Sequence, residues 1–264
     1  LEKVDRFIEG MKDASAAPIF NECRQWLLDN LDRFDNLTKE DVESISPEIC
    51  NCATLSTLHG CPPQEIERIA SYLLTEKKVH TFIKCNPTLL GYEYARKLMD
   101  DMGYDYVAFG DFHFRDDLQY TDAVPMLQRL QKLADEKGLE FGVKITNTFP
   151  VDVKQNELPS EEMYMSGKSL YALSMSVAQK LAKDFDGKLR ISYSGGADYF
   201  NITKIVDAGI WPVTMATTML KPGGYERLEQ IGQLFKAKEA AAFAGVSAEK
   251  VEAMVEAAKS DTHH

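Results

Sequence analysis

From Ala53 to Phe235 the chain alternates short apolar runs with amphipathic helical segments, and this rhythm constrains the fold more than any other feature. The runs are Ala53–His59, Thr81–Asn86, Tyr106–Gly110, Phe141–Thr148, Leu189–Ser194 and Pro212–Thr218. Between the first two, Pro62–Leu74 has Pro at a helix start and Ile66, Ile69, Ala70 and Leu73 on one face. Helical spacing recurs over Tyr92–Met102, Thr121–Lys137, Ser169–Phe185, Asn201–Ala208 and Gly224–Phe235. Six strands, each followed by a helix, predict a parallel sheet beneath a helical layer. No Gly-x-Gly-x-x-Gly follows a strand, which argues against a dinucleotide-binding open sheet. The expected fold is α/β, a (β/α)8 TIM-like barrel. Because six repeats fall short of eight, the chain is expected to be a fragment lacking the first strands.

Residues 1–52 read as a helical segment leading into the barrel. Leu1, Val4, Ile8 and Met11 keep helical spacing there, so the chain opens in mid-pattern, and Thr38 to Asp41 resembles a capping box. Residues 53–235 are the βα repeats, and 236–264 form a C-terminal helical extension. In that extension Ser247 caps a helix over Ala248–Ala258, expected at the periphery. The 264 residues suit a barrel of about 250 residues. A net charge of -11 argues against a nucleic-acid or anionic-membrane surface. No apolar run approaches the roughly 20 residues of a membrane span. Five cysteines with no secretory signal fit reduced thiols in a cytoplasmic protein. The spacing of Cys50, Cys52, Cys61 and Cys85 matches no zinc or iron–sulfur pattern, so no metal site is expected.

Two strand ends run into small residues just before a helix. Ser194, Gly195 and Gly196 close one, and Ala216, Thr217 and Thr218 the next. Small residues let backbone N–H groups approach an anion, and two such loops on successive βα units suit a phosphate cradle. Lys144, inside a strand otherwise built for burial, needs a partner. It suits a cation at the barrel mouth touching a flavin or a substrate carbonyl, or else an ordinary ion pair. Lys84 is a second such lysine. Thr146, Asn147 and Thr148 offer a polar lining or turn chemistry before Pro150. The stretch Pro150–Gly167 reads as a functional loop over the mouth. Cys61 stands at a helix start, where a thiol suits a proton donor or is simply inert. Asp111 and His113 follow a strand and suit an acid or base, or solvated loop positions.

Several motifs together resemble a known family. They are Thr54–Pro63 with its His-Gly-Cys-Pro-Pro end, Phe82–Tyr92, Gly142–Thr148, Met163–Lys168, Ile191–Gly196 and the tryptophan-containing Gly209–Tyr225. Over most of residues 1–230 the chain resembles the selenate reductase flavin/iron–sulfur subunits, relatives of dihydropyrimidine dehydrogenase and dihydroorotate dehydrogenase. The resemblance implies an FMN-binding barrel that moves hydride between the flavin and a pyrimidine- or purine-like ring. By that resemblance Lys144 contacts the flavin, and Thr146 and Asn147 lie near flavin and substrate. Ser166-Gly167 and Ser194-Gly195-Gly196 follow the ribityl phosphate, and Ala216-Thr217 supplies a last phosphate contact. Cys61 resembles the family's proton donor, with Asp111 and His113 as alternatives. A second flavin, a nicotinamide site and iron–sulfur clusters are implied only outside these residues. Electron-transfer domains or subunits are the implied partners, and a homodimer is expected by analogy. Two other functions remain open: a non-redox lyase or isomerase acting on a phosphorylated substrate, and a non-catalytic scaffold.

Overall fold

The computed structural model describes residues 2–238 and 241–260. Leu1, the first member of the N-terminal periodic pattern, lies outside them. Three helices come first: α1 (Glu2–Lys12), α2 (Pro18–Asp29) and α3 (Lys39–Ser44). The capping box read from the sequence opens α3. The Asp41 amide donates to Thr38 Oγ1, and the Thr38 amide donates to the Asp41 carboxylate.

The βα region starts with β1 (Cys52–Leu55), α4 (Pro63–Tyr72) and β2 (His80–Cys85). It continues through α5 (Tyr92–Asp101), α6 (Phe112–Asp116), α7 (Tyr120–Lys137) and β3 (Phe141–Ile145). A hairpin of β4 (Phe149–Asp152) and β5 (Glu162–Met165) precedes α8 (Tyr171–Asp184). Then come β6 (Arg190–Ser194), α9 (Ile202–Asp207), β7 (Val213–Thr214), α10 (Glu226–Phe235) and α11 (Ala248–Ser260).

Five strands make one parallel sheet in the order β1-β2-β3-β6-β7. That order follows the chain without reversal. A doubly wound sheet reverses at a switch point, whereas barrel strands follow one another around the ring. The sheet is a curled run of consecutive barrel strands, as the sequence predicts.

One expected strand is absent. Tyr106–Gly110 forms no strand, because β2 pairs directly with β3 and leaves it no edge. It lies instead against the hairpin, where the Asp152 amide donates to the Ala108 carbonyl at 2.8 Å and Phe109 meets Phe149 at 4.8 Å between ring centroids. The expected loop 150–167 is largely this hairpin, clamped by the buried Phe149 ring. The C-terminal helix is also not peripheral. Val251, Met254, Val255 and Ala258 of α11 are buried in the main core, with α11 packed along α8.

Alternation along the strands sorts the sheet into two faces. Val143 pairs with Ile191 and Ile145 with Tyr193, and all four are fully buried with the helical layer in one core. Each such side chain is worth roughly 1.5–3 kcal/mol. The opposite face carries Phe82 and Lys84, then Gly142 and Lys144, then Arg190 and Ser192. Gly142 is required there by close approach: a Cβ would lie 2.7 Å from the Phe82 ring and 2.5 Å from the Arg190 carbonyl oxygen. Among the described residues no helix is long and apolar enough to cross a membrane.

Candidate active site

The C-terminal ends of β2, β3, β6 and β7 open into a cleft of about 320 Å³. That volume is at the small end of the range for ligand pockets, about 300–1,000 Å³. Lys84 lines it from β2, Thr146 to Thr148 from β3, Ser194 to Asp198 from β6, and Thr214 to Thr218 from β7. The turn after the hairpin, Ser166 to Lys168, forms another wall, and Lys221 and Arg227 stand at the rim. The ten residues assigned to cofactor binding from the sequence therefore converge here, with one exception. Lys144 is not in the lining; it sits beside Lys84 on the same face of the sheet.

Two of the turns interlock through glycine. Gly196 has φ +85°, and a Cβ on it would stand 2.6 Å from the Gly167 carbonyl oxygen. Gly167 has φ +73°, and its Cβ would meet the Thr217 methyl at 2.9 Å. Both positions demand the left-handed conformation and the missing side chain together. The turn after β6 is further tied down. The Tyr193 hydroxyl donates to the Gly195 carbonyl at 2.6 Å, and Asn201 Nδ2 donates to the Gly196 carbonyl at 2.9 Å. Thr146 turns away from solvent to hydrogen-bond Ser174 Oγ on α8 at 2.7 Å.

Charge in the cleft runs against the balance of the whole chain. Lys84, Lys168, Lys221 and Arg227 line it, and Asp198 is the one acid among the described lining residues. Asp198 is spoken for: its carboxylate is buried, pairs with Lys168 Nζ at 2.9 Å and accepts the Phe200 amide at 2.9 Å. Backbone amides and cations at the strand ends suit an anion such as a phosphate.

A second polar cluster lies after β1 and β2. Asp117 is buried at its centre and accepts from Thr88 Oγ1 at 2.8 Å, Asn86 Nδ2 at 3.1 Å and the Gly60 amide at 2.9 Å. His59 Nδ1 meets the same carboxylate at 2.7 Å. Desolvation pushes the Asp117 carboxyl upward, but its hydrogen bonds from His59, Thr88 and Gly60 outweigh this and hold it below the usual range. The hydrogen bond to Asp117 raises His59, against desolvation.

The three acid–base candidates from the sequence separate. Cys61 lines a small cavity with Asn86 and Asp117, and Lys84 belongs to this cavity and to the main cleft. His113 lies beside His59, 5.6 Å between ring centroids, and pairs with Glu162 on the hairpin at 2.7 Å. Asp111 is exposed and pairs with Arg115 at 3.2 Å. Asp117, His59, Lys168, Asp198 and Arg227 were not singled out in sequence. Asp117 falls in a charged stretch, Arg115-Asp116-Asp117, that reads as surface. Nothing local marks which of these carboxylates turns inward. Among the described residues no group of three or more His, Cys, Asp or Glu side chains is placed to hold a metal.

A glycine-walled, cation-lined cleft at the C-terminal ends of consecutive parallel strands is the arrangement of a TIM-barrel domain. The family model described as Oxidoreductase YgfK, N-terminal TIM-barrel domain, matches residues 1–264, and the chain belongs to that family. Two curated relatives carry the name "Putative oxidoreductase YgfK", one from Escherichia coli strain K12 and one from Escherichia coli O157:H7. Each is 47% identical over 236 residues, covering 85% of this chain. The chain spans about a quarter of their length, 23% of each. Among solved structures, DHODH from Eimeria tenella in complex with ferulenol aligns with a TM-score of 0.33 and 17% identity. That alignment covers 72% of this chain and 56% of that one, and its score is too low to carry an argument.

Proposed function

We propose that this chain is the FMN-binding part of an oxidoreductase that exchanges hydride with a pyrimidine- or purine-like ring. The observation that carries the reading is the cleft wall, where Gly167 and Gly196 leave no room for a Cβ and basic side chains surround the opening. Such a cradle fits the phosphate of a flavin mononucleotide. Gly195, Gly196, Ala216 and Thr217 would hold that phosphate, with Ser166, Gly167 and Lys168 along the ribityl chain. Asn147 would fix the edge of the ring system, with Thr146 held behind it by Ser174, and Lys144 would oppose negative charge there. Bound FMN supplies a two-electron carrier for hydride.

The chain's own residues supply the rest. Cys61 is the proton donor of choice among the three candidates, because its cavity adjoins the cleft at Lys84. Its thiol would give a proton to a ring atom of the substrate, and the thiolate would take that proton back in the reverse direction. The hairpin β4–β5 leads directly into the turn Ser166 to Lys168, which forms one wall of the cleft. The resemblance to the selenate reductase flavin/iron–sulfur subunits supports the same reading. By it, iron–sulfur clusters, a second flavin and an NAD(P) site belong elsewhere in a longer protein and carry electrons to or from this domain.

Visible absorption tests the reading directly. Protein mixed with FMN and then desalted is expected to keep flavin absorbance, and a Gly195→Asp variant to lose it. A full protein that keeps none would overturn the flavin reading. A non-redox enzyme for a phosphorylated substrate would then explain the cradle better.

A further inference from the structure

Outside the barrel mouth, the starts of α8 and α9 and the second half of α11 border another space of about 130 Å³. Tyr171 and Met254 are buried in its wall, while Phe200, Lys204 and Ala257 are exposed and leave it open to solvent. The Lys168–Asp198 ion pair and the Phe200 ring line both this space and the main cleft, so they form the partition between the two. Tyr171, Lys204 and Met254 line this space and not the cleft.

A buried phenol ordinarily finds a hydrogen-bond partner for its hydroxyl. Tyr193 does so, donating to the Gly195 carbonyl at 2.6 Å. Tyr171 does not. It is only 8% exposed and its ring meets that of Tyr193 edge-on at 6.4 Å between centroids, yet among the described residues its hydroxyl has no partner. Desolvation, and then the Asp198 charge, push this phenol up to about 12, so it keeps its proton and remains a donor. Asp198 is already bound to Lys168 Nζ at 2.9 Å and to the Phe200 amide at 2.9 Å. Asn201 is committed as well, accepting the Asp198 amide at 2.8 Å and donating to the Gly196 carbonyl at 2.9 Å. The Tyr171 hydroxyl is therefore left to the cavity it lines.

The rest of the lining narrows the chemistry. An apolar cavity of about 150 Å³ takes a benzene ring, so this one suits a single small ring whose polar end reaches toward the opening. Met254, Ala257 and the Phe200 ring supply apolar surface, and Tyr171 and Lys204 supply donors. Asp198 is the one acid among the described lining residues, and Lys168 neutralises it, which leaves the Lys204 ammonium as surplus charge. We infer that this cavity is a second ligand site, taking a small carboxylate carried on a flat apolar ring. Its carboxylate would accept from the Tyr171 hydroxyl and face Lys204, with the ring against Met254. The site does not rest on the flavin reading.

Methyl NMR of the full protein labelled at methionine tests this, with benzoate as the probe and Met254→Leu to assign the resonance. Benzoate is expected to move the Met254 methyl signal saturably and to leave that of Met215, which lines the cleft, in place. Benzamide has the same ring without the charge and should bind about tenfold more weakly. Tyr171→Phe should weaken benzoate about tenfold at an unchanged melting temperature, because the hydroxyl holds nothing within the protein. Ala257→Trp, placed at the exposed rim, should fill the space and abolish the shift. A Met254 signal that stays still, or movement of Met215 in its place, would overturn the proposal. So would equal binding of benzamide, or benzoate affinity that survives both substitutions. A melting temperature lowered by Tyr171→Phe would make the hydroxyl structural and overturn it too. Flavin absorbance in the same samples keeps the two ideas apart, since the benzoate response is expected whether or not the cleft holds flavin.

Discussion

Val143 and Lys144 are consecutive residues of one strand, yet they live in different solvents. Val143 faces α7 and α8 and has no exposed surface, whereas Lys144 faces the inside of the curled sheet and stays half-open. The same split runs across β6, where Ile191 and Tyr193 are sealed beneath helices while Ser194 lines the cleft. The outer face does the folding and the inner face is left free for chemistry. A parallel sheet allows this because alternation assigns each residue to one face, and register carries that assignment across every strand.

The comparison is broken most severely by exchanging the two characters. Val143→Asp places an unpaired carboxylate among fully buried side chains and should cost more than about 4 kcal/mol, removing the cooperative thermal transition. A variant that still melts cooperatively near the parent temperature would show that the outer face is not the stabilising one.

Next in size is the cradle. Gly196→Ala forces a side chain into a left-handed position against the Gly167 carbonyl. The expected cost is about 1–3 kcal/mol, with flavin retention after desalting reduced to background. Retained flavin would move the phosphate site elsewhere on the inner face.

The His59–Asp117 pair sharpens the contrast through pH. His59 is raised in the fold, so its contribution is complete below the unfolded histidine value and is lost as pH rises through the folded one. Asp117 is lowered, so its contribution is present above the unfolded carboxylate value and is lost as pH falls through the folded one. The pair therefore stabilises between these limits. Asp117→Asn should cost about 1–3 kcal/mol in that window and flatten the decline in melting temperature on the alkaline side of the ordinary histidine range. An unchanged decline would assign it to other groups.

The smallest stability effect should come from Lys144→Met. Removing an unpartnered cation should shift stability by less than about 1 kcal/mol, with a rise in melting temperature as readily as a fall. Flavin retention should nonetheless weaken. A large destabilisation would mean that Lys144 is a structural residue, and the two faces would be less distinct than proposed.

The helices of the βα region were legible because each repeats apolar residues at helical spacing, and α4, α5, α7, α8, α9 and α10 begin and end within a few residues of expectation. Tyr106–Gly110 misled for a physical reason. A short apolar run bounded by glycine looks the same whether it joins a ladder or packs against a hairpin, and only the direct pairing of β2 with β3 excludes the first. The last helix misled similarly: Val251, Met254, Val255 and Ala258 mark an apolar face, but not what it covers.

The site divides along the same line. Ser194-Gly195-Gly196 and Ala216-Thr217 could be picked out from the sequence because turn chemistry is local and depends on residue type. That Gly196 closes against Gly167, that Asp117 rather than Asp111 turns inward to meet His59, and that Lys84 stands beside Lys144 are contacts between residues 29 to 60 positions apart. Local spacing determined which segments are strands and helices and which turns hold small residues. Only the tertiary structure decided which of those segments meet, because register and packing depend on pairings across the whole sheet.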